Sequence, residues 1–227
     1  MNRIYLAVRP LPPEDEAEQL QGKLDKRFPA EENSAYIQRL CTGDRGPLPS
    51  RVSVPRLGAL CLLAEMLDTL SIPTRDLRLA RDEHSRPFAN LPEGPAPFDF
   101  NVSHSGAHVA CAVLMGEGLI GLDVEEPLSR ERAIPLIKRY CTEGELAMIS
   151  ADEGPAFTRL WTIREALAKQ DGRGAPLRYD ASRIPAGIDV LCYESADSGA
   201  YLSLAYPQVA VGTKITIMDL SLPLRSV

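Results

Sequence analysis

Between Gly121 and Lys169 the hydrophobic pattern switches from strand-like to helix-like, and acidic residues ride on both patterns. Gly121-Leu-Asp-Val-Glu125 alternates as a half-buried strand does, so Leu122 and Val124 turn into a core while Asp123 and Glu125 share the other face. Trp161-Thr-Ile-Arg-Glu-Ala-Leu-Ala-Lys169 follows a helical period. Residues four apart stand about 40° apart around a helix axis, so Trp161, Glu165 and Lys169 form one stripe. A chain carrying both segments must pack a helix against a strand in a way that tolerates charge between them.

Packing that stripe on that strand brings Asp123, Glu125 and Glu165 together. Three carboxylates repel unless a cation joins them, and a Mg²⁺ ion takes hard oxygen ligands while keeping sites for water and phosphate. Lys169 adds an ammonium beside them. Taken singly, a Glu and a Lys four apart on a helix form a solvated ion pair worth a few tenths of a kcal/mol. The conjunction is what points to chemistry on a pyrophosphate.

A third segment precedes the other two. Phe98-Asp-Phe-Asn-Val-Ser-His-Ser-Gly106 alternates and then reaches a turn, and the apolar run His108 to Met115 reads as a buried strand. Ser103, His104 and Ser105 then stand at the tip of a hairpin. Their hydroxyls, the imidazole and nearby backbone N–H groups form a candidate phosphate cradle. The remaining histidines, His84 and His108, show no metal-type spacing.

Breakers divide the rest. Residues 2 to 8 read as a strand, Glu14 to Phe28 and Glu31 to Cys41 as helices, Gly43 to Pro49 as a loop, Pro55 to Leu70 as a buried helix, Leu77 to Ala80 as a short strand, and 90 to 97 as a Pro-rich connection. Gly116-Glu-Gly118 marks a boundary, giving residues 1–117 and 118–227. After it come a strand at 119 to 125, a helix from Ser129 to about Tyr140 distorted by Pro135, and a capping box at Thr142–Glu145. The Trp161 helix is bracketed by Pro155 and Gly172. Strands at Ile188 to Tyr193, Tyr201 to Tyr206 and Lys214 to Met218 complete the pattern. Both halves read strand, helices, strands, an α+β organisation.

The three segments resemble, in order and spacing, those of 4′-phosphopantetheinyl transferases of the surfactin-synthetase-activating type. Asn101-Val-Ser-His-Ser105 is similar to the family's N-[IV]-S-H-S, Gly121 to Glu125 to its G-[IL]-D-[IV]-E, and Trp161 to Lys169 to its W-x-x-[KR]-E-A-x-x-K. The likeness is clear from about Arg86 to Gly174. Members commonly carry Gly-Lys-Pro where Ser85-Arg86-Pro87 stands here, and Arg164 fills a position that is often Lys.

The resemblance implies two similar α+β subdomains about a pseudo-twofold axis, with coenzyme A bound at their junction. It implies transfer of the phosphopantetheine arm from coenzyme A to a serine of an acyl or peptidyl carrier protein, releasing adenosine 3′,5′-bisphosphate. Mg²⁺, with Mn²⁺ as the alternative, would be held by Asp123, Glu125 and Glu165. Glu165 would also be the candidate general base, with Glu125 or a metal-activated water as alternatives, and Lys169 a catalytic phosphate contact. Ser103, His104, Arg86 and Lys169 would hold the nucleotide's phosphates.

The formal net charge of −6 argues against nucleic acid as a partner, yet coenzyme A is itself strongly anionic. A local basic patch is therefore expected, with Arg39, Arg45, Arg51 and Arg56 as candidates. No apolar run reaches membrane-spanning length. The five cysteines are scattered in mostly apolar settings and read as reduced thiols of a cytoplasmic protein, expected to be a monomer. The rival readings are a non-catalytic module binding coenzyme A or a carrier protein, and a different Mg²⁺-dependent nucleotide transferase or hydrolase.

Overall fold

The computed structural model describes residues 2–43, 46–149, 152–209, 212–220 and 224–226. Strand β1 (Asn2–Pro10) leads to helices α1 (Ala17–Arg27), α2 (Glu31–Cys41) and α3 (Ser50–Thr69), with the short pair β2 (Thr42–Gly43) and β3 (Gly46–Pro47) between the last two helices. Strands β4 (Arg78–Arg81), β5 (Pro87–Leu91), β6 (Gly94–Pro95), β7 (Asp99–His104) and β8 (His108–Met115) follow. Then come β9 (Gly121–Glu125), α4 (Arg130–Tyr140), α5 (Glu143–Met148), α6 (Glu153–Gln170), β10 (Ile188–Ser195), β11 (Tyr201–Pro207), β12 (Thr213–Leu220) and β13 (Leu224–Ser226). The fold is α+β.

Two four-stranded sheets form the centre, ordered β12-β1-β8-β7 and β13-β10-β11-β9. Strand alternation lets β1 and β8 serve two cores at once. Ile4, Leu6, Val8, Ala110, Ala112 and Leu114 meet Leu122, Val124, Leu202, Leu204 and Tyr206 of the second sheet, and Ile120 just before it. Ala7, Val109, Cys111 and Val113 face the other way, onto Leu20, Leu24, Leu57 and Leu63 of the helices. Each such fully buried Leu or Ile stabilises by roughly 1.5–3 kcal/mol relative to exposure. The far face of the second sheet is covered by Leu160, Ile163, Ala166 and Leu167 of α6.

Four elements differ from the sequence reading, the first being the Gly43 to Pro49 loop, which holds β3 paired with β2. Helix α3 begins at Ser50, with Pro55 inside it rather than at its start; the ring removes the i+4 donor of the Arg51 carbonyl, a loss the buried face of the helix outweighs. The Pro-rich 90 to 97 connection holds part of a hairpin, β5 with β6. Strand β12 leaves the second half and pairs parallel with β1, from Asn2↔Thr213 to Leu6↔Ile217. Parallel pairing between chain positions this far apart has no local signature. The five cysteines carry free thiols, and among the described residues no helix is long and apolar enough to cross a membrane.

Candidate active site

The site begins with the contact between β9 and α6. A Cβ at Gly121 would overlap the Ala166 carbonyl oxygen, and one at Gly154 would overlap that of Leu128. Glycine at these positions therefore lets the strand and the chain after it lie directly against the helix. Thr162 and Ser203 share a buried hydrogen bond of 2.8 Å that ties α6 to the middle of β11. Leu122 and Val124 enter the core, as alternation requires. Residues 162–164 and 166–168 are buried, whereas Trp161, Glu165 and Lys169 form the half-open stripe read from the helical period.

Asp123 is buried, and its Oδ1 accepts from Lys169 Nζ at 2.7 Å and from Ser103 Oγ at 3.0 Å. Lys169 Nζ also lies 3.1 Å from Ser103 Oγ and from the Leu122 carbonyl oxygen, so its three protons all have protein acceptors. Asp123 Oδ2 is buried without a hydrogen bond among the described residues. Burial, then the charge of Asp123, pushes the Glu125 carboxyl up to about 7, with Glu126 and Glu165 adding to the rise and Lys169 opposing it. Glu165 is raised for the same first two reasons. Among the described residues no three His, Cys, Asp or Glu converge as a finished metal cage. The donor set nonetheless suits a hard cation: three carboxylates in mutual repulsion, one with an orphaned buried oxygen.

These groups line a cavity of about 670 Å³ whose opposite wall comes from the first half of the chain. Arg39 and Arg56 line it, and so does Arg81, which sequence reasoning missed. The Arg81 guanidinium stands 5.4 Å from the centre of the Tyr36 ring, bringing β4 and α2 together at the wall. Arg51 is exposed and is not part of this wall, and Arg45 lies outside the described residues. The lining carries Arg39, Arg56, Arg81, Arg86 and Lys169 against Asp123, Glu125 and Glu165, so the local charge opposes the −6 of the whole chain. His104 also lines it, held below the usual imidazole range first by burial, then by Lys169 and Arg56.

The cradle at the hairpin tip differs from expectation. Gly106 N and Ala107 N donate to the Glu126 carboxylate at 2.8 and 3.1 Å, and Ser105 Oγ donates to it at 2.7 Å. The backbone donors and Ser105 are thus engaged by protein, leaving Ser103 and His104 on the cavity. Glu126 carried no signal in the sequence, because its partners are brought to it only by the pairing of the sheets.

The profile of the 4′-phosphopantetheinyl transferase superfamily matches residues 119–192, which contain β9, α6 and the carboxylates between them. It is 34% identical to the 4′-phosphopantetheinyl transferase Sfp of Bacillus subtilis (strain 168) over 113 residues, 47% of this chain and 46% of that protein. It is 27% identical to the 4′-phosphopantetheinyl transferase gsp of Aneurinibacillus migulanus over 122 residues, 52% of this chain and 48% of that protein. It is 38% identical to the 4′-phosphopantetheinyl transferase AcpT of Salmonella typhimurium (strain LT2) over 84 residues, 35% and 43% of the two chains. These matches span about half of each relative or less.

The Ser85-Arg86-Pro87 segment now has a physical description. Ser85 has φ 67°, the left-handed region that glycine enters without cost. The turn is held by Asp82, whose Oδ1 accepts from His84 N and Arg86 N, each at 2.9 Å. Arg86 is buried and donates to Asp99, to the Ile120 carbonyl at 2.9 Å and to the Lys169 carbonyl at the end of α6. Its Nε has no partner among the described residues, and the side chain borders the cavity. A second, largely apolar groove of about 380 Å³, lined by Leu128, Leu136, Tyr140, Phe157 and Trp161 with Glu126 at its edge, meets the cavity at Glu125.

Proposed function

We propose that this protein transfers the 4′-phosphopantetheine group from coenzyme A to a serine hydroxyl of an acyl or peptidyl carrier protein. The carrying observation is one cavity with a basic wall from the first half and the β9–α6 carboxylates opposite, inside the segment matched by the superfamily's profile. Arg39, Arg56 and Arg81 would meet the nucleotide's phosphates, with Ser103, His104 and Arg86, which borders the cavity. Lys169 would exchange one of its protein acceptors for a phosphate oxygen, a charge-assisted contact. The apolar groove beyond Glu125 suits the pantetheine arm, a chain of methylenes and amides.

In the reaction the serine oxygen attacks the phosphorus bearing the pantetheine, the pyrophosphate P–O bond breaks, and adenosine 3′,5′-bisphosphate leaves. Glu165 would take the serine proton; burial and then the charge of Asp123 raise its affinity for protons. Asp123, Glu125 and Glu165 would hold Mg²⁺, which when bound offsets charge on the pyrophosphate. The basic residues orient the phosphates so that the scissile bond faces the acceptor. We place the working boundary between residues 117 and 118, with a pseudo-twofold relation suggested by the like order of elements, and propose a cytoplasmic monomer.

Release of adenosine 3′,5′-bisphosphate, followed by chromatography with and without apo carrier protein, separates the readings. The transferase produces it only when acceptor and Mg²⁺ are present. Release without acceptor would identify a hydrolase, and binding of coenzyme A with no release under any condition would identify a non-catalytic module.

A further inference from the structure

Strands β7 and β9 are the edges of the two central sheets, and they lie side by side without pairing into one sheet. Alternate side chains of β7 make the connection. Asp99 Oδ2 accepts from Ile120 N at 2.7 Å, Asn101 Oδ1 from Leu122 N at 3.1 Å, and Ser103 Oγ from Val124 N at 3.4 Å. One step further, Ser105 Oγ donates to Glu126 Oε1 at 2.7 Å. Every rung joins a residue to one 21 positions later, so the row has a single register. A slip of one residue would turn all of these side chains to the wrong face.

Glu126 closes the row. Besides Ser105 Oγ it accepts from Gly106 N at 2.8 Å and Ala107 N at 3.1 Å, and it lies 2.9 Å from His108 Nδ1. Ser105 N donates in turn to the His108 carbonyl, closing the hairpin. Gly106 and Ala107 are exposed, and Leu11 N donates to the Ala107 carbonyl at 2.8 Å as a second tie on this turn. The residues just before it, Ser103 and His104, and the residue just before Glu126, Glu125, all line the cavity. One carboxylate therefore ties the turn beside Ser103 and His104 to the end of β9 beside Glu125.

We propose that Glu126 is a positioning residue that locks the Ser105–His108 turn to the end of β9 and so sets Ser103 and His104 against Asp123 and Glu125. The proposal rests on the transferase reading for its kinetic consequence only; its structural consequence is independent of any activity. A loosened turn has to be ordered each time nucleotide binds, which weakens binding more than it slows the chemical step.

Glu126→Gln and Glu126→Asp in the full chain test this. Gln keeps the size but points an N–H₂ group at donors that an oxygen now receives. Amide exchange at Gly106 and Ala107 should rise about tenfold or more in Glu126→Gln, with β1 and β8 as protected as before. KM for coenzyme A should rise about tenfold while kcat stays within about threefold, and Glu126→Asp should recover most of the KM change. Unchanged exchange at Gly106 and Ala107 would overturn the proposal, as would faster exchange with an unaltered KM. If Glu126→Gln loses protection throughout, Ser105→Ala decides, and it must show the same local rise in exchange. If the wild-type chain transfers nothing to any carrier, the transferase reading fails and the exchange result alone decides the lock.

Discussion

Two of the ion pairs that helix α6 makes, through Arg164 and Lys169, stand little more than a turn apart and are built differently. Arg164 binds Glu145, which is fully buried; Glu145 also accepts from Thr142 N at 2.9 Å and Ala181 N at 2.8 Å, and Arg164 reaches the Tyr140 carbonyl as well. Each Glu145 oxygen has two donors. Lys169 binds Asp123 at 2.7 Å, but one Asp123 oxygen has no donor among the described residues and Glu125 and Glu165 crowd the same space. Burial tends to raise Glu145, yet the hydrogen bonds from Arg164, Thr142 and Ala181 hold it below the usual carboxylate range. Glu125, with no such set, rises to about 7. A saturated buried pair fixes the fold, and an unsaturated one keeps capacity for something else.

The largest effect on stability should come from the saturated pair. Glu145→Ala leaves the Arg164 charge buried with no carboxylate and removes half of the capping box at Thr142. Urea denaturation should show a loss of about 3–5 kcal/mol. A loss below about 1 kcal/mol would erase the distinction between the pairs.

Asp123→Ala should do the reverse. Lys169 keeps Ser103 Oγ and the Leu122 carbonyl as acceptors, so the fold should persist, while metal-dependent transfer falls by roughly 100-fold or more. An unfolded variant, or one with wild-type turnover, would contradict the contrast.

The pH dependence of stability sharpens it further. Glu125 and Glu165 bind protons more readily folded than unfolded, so they favour the folded state at low pH and that contribution is lost as pH rises. For Glu125 the window runs from about 4.5 to about 7. With divalent cations chelated, the melting temperature should show this decline, and Glu125→Gln should flatten it. Mg²⁺ should restore stability chiefly above this window. A melting temperature that climbs through the window in wild type, and does so unchanged in Glu125→Gln, would be the wrong sign.

The smallest expected effect concerns the turn before Arg86. Ser85→Gly relieves a left-handed backbone and should stabilise by about 1 kcal/mol, read from the denaturation midpoint. Destabilisation would mean that the serine side chain matters there.

Much of this contrast was legible before folding. Alternation at Gly121–Glu125 and the helical stripe at Trp161, Glu165 and Lys169 placed the acidic wall, because each depends on local period alone. The capping box at Thr142–Glu145 was legible too, and is present with both of its hydrogen bonds. The second duty of Glu145 toward Arg164 was not, since it needs α5 folded back on α6. The same holds for Arg81, which reaches the cavity by way of β4, for Glu126, whose partners sit across two sheet edges, and for β12, whose place beside β1 is decided by long-range pairing. Local rules name the residues that carry charge; tertiary contact decides which charges are satisfied.

The most direct test is the intact mass of apo carrier proteins after incubation with this protein, coenzyme A and Mg²⁺. A gain of one phosphopantetheine is expected on at least one carrier, dependent on the metal and lost in Glu165→Ala. No gain on any carrier, with no binding of coenzyme A to the cavity, would contradict it.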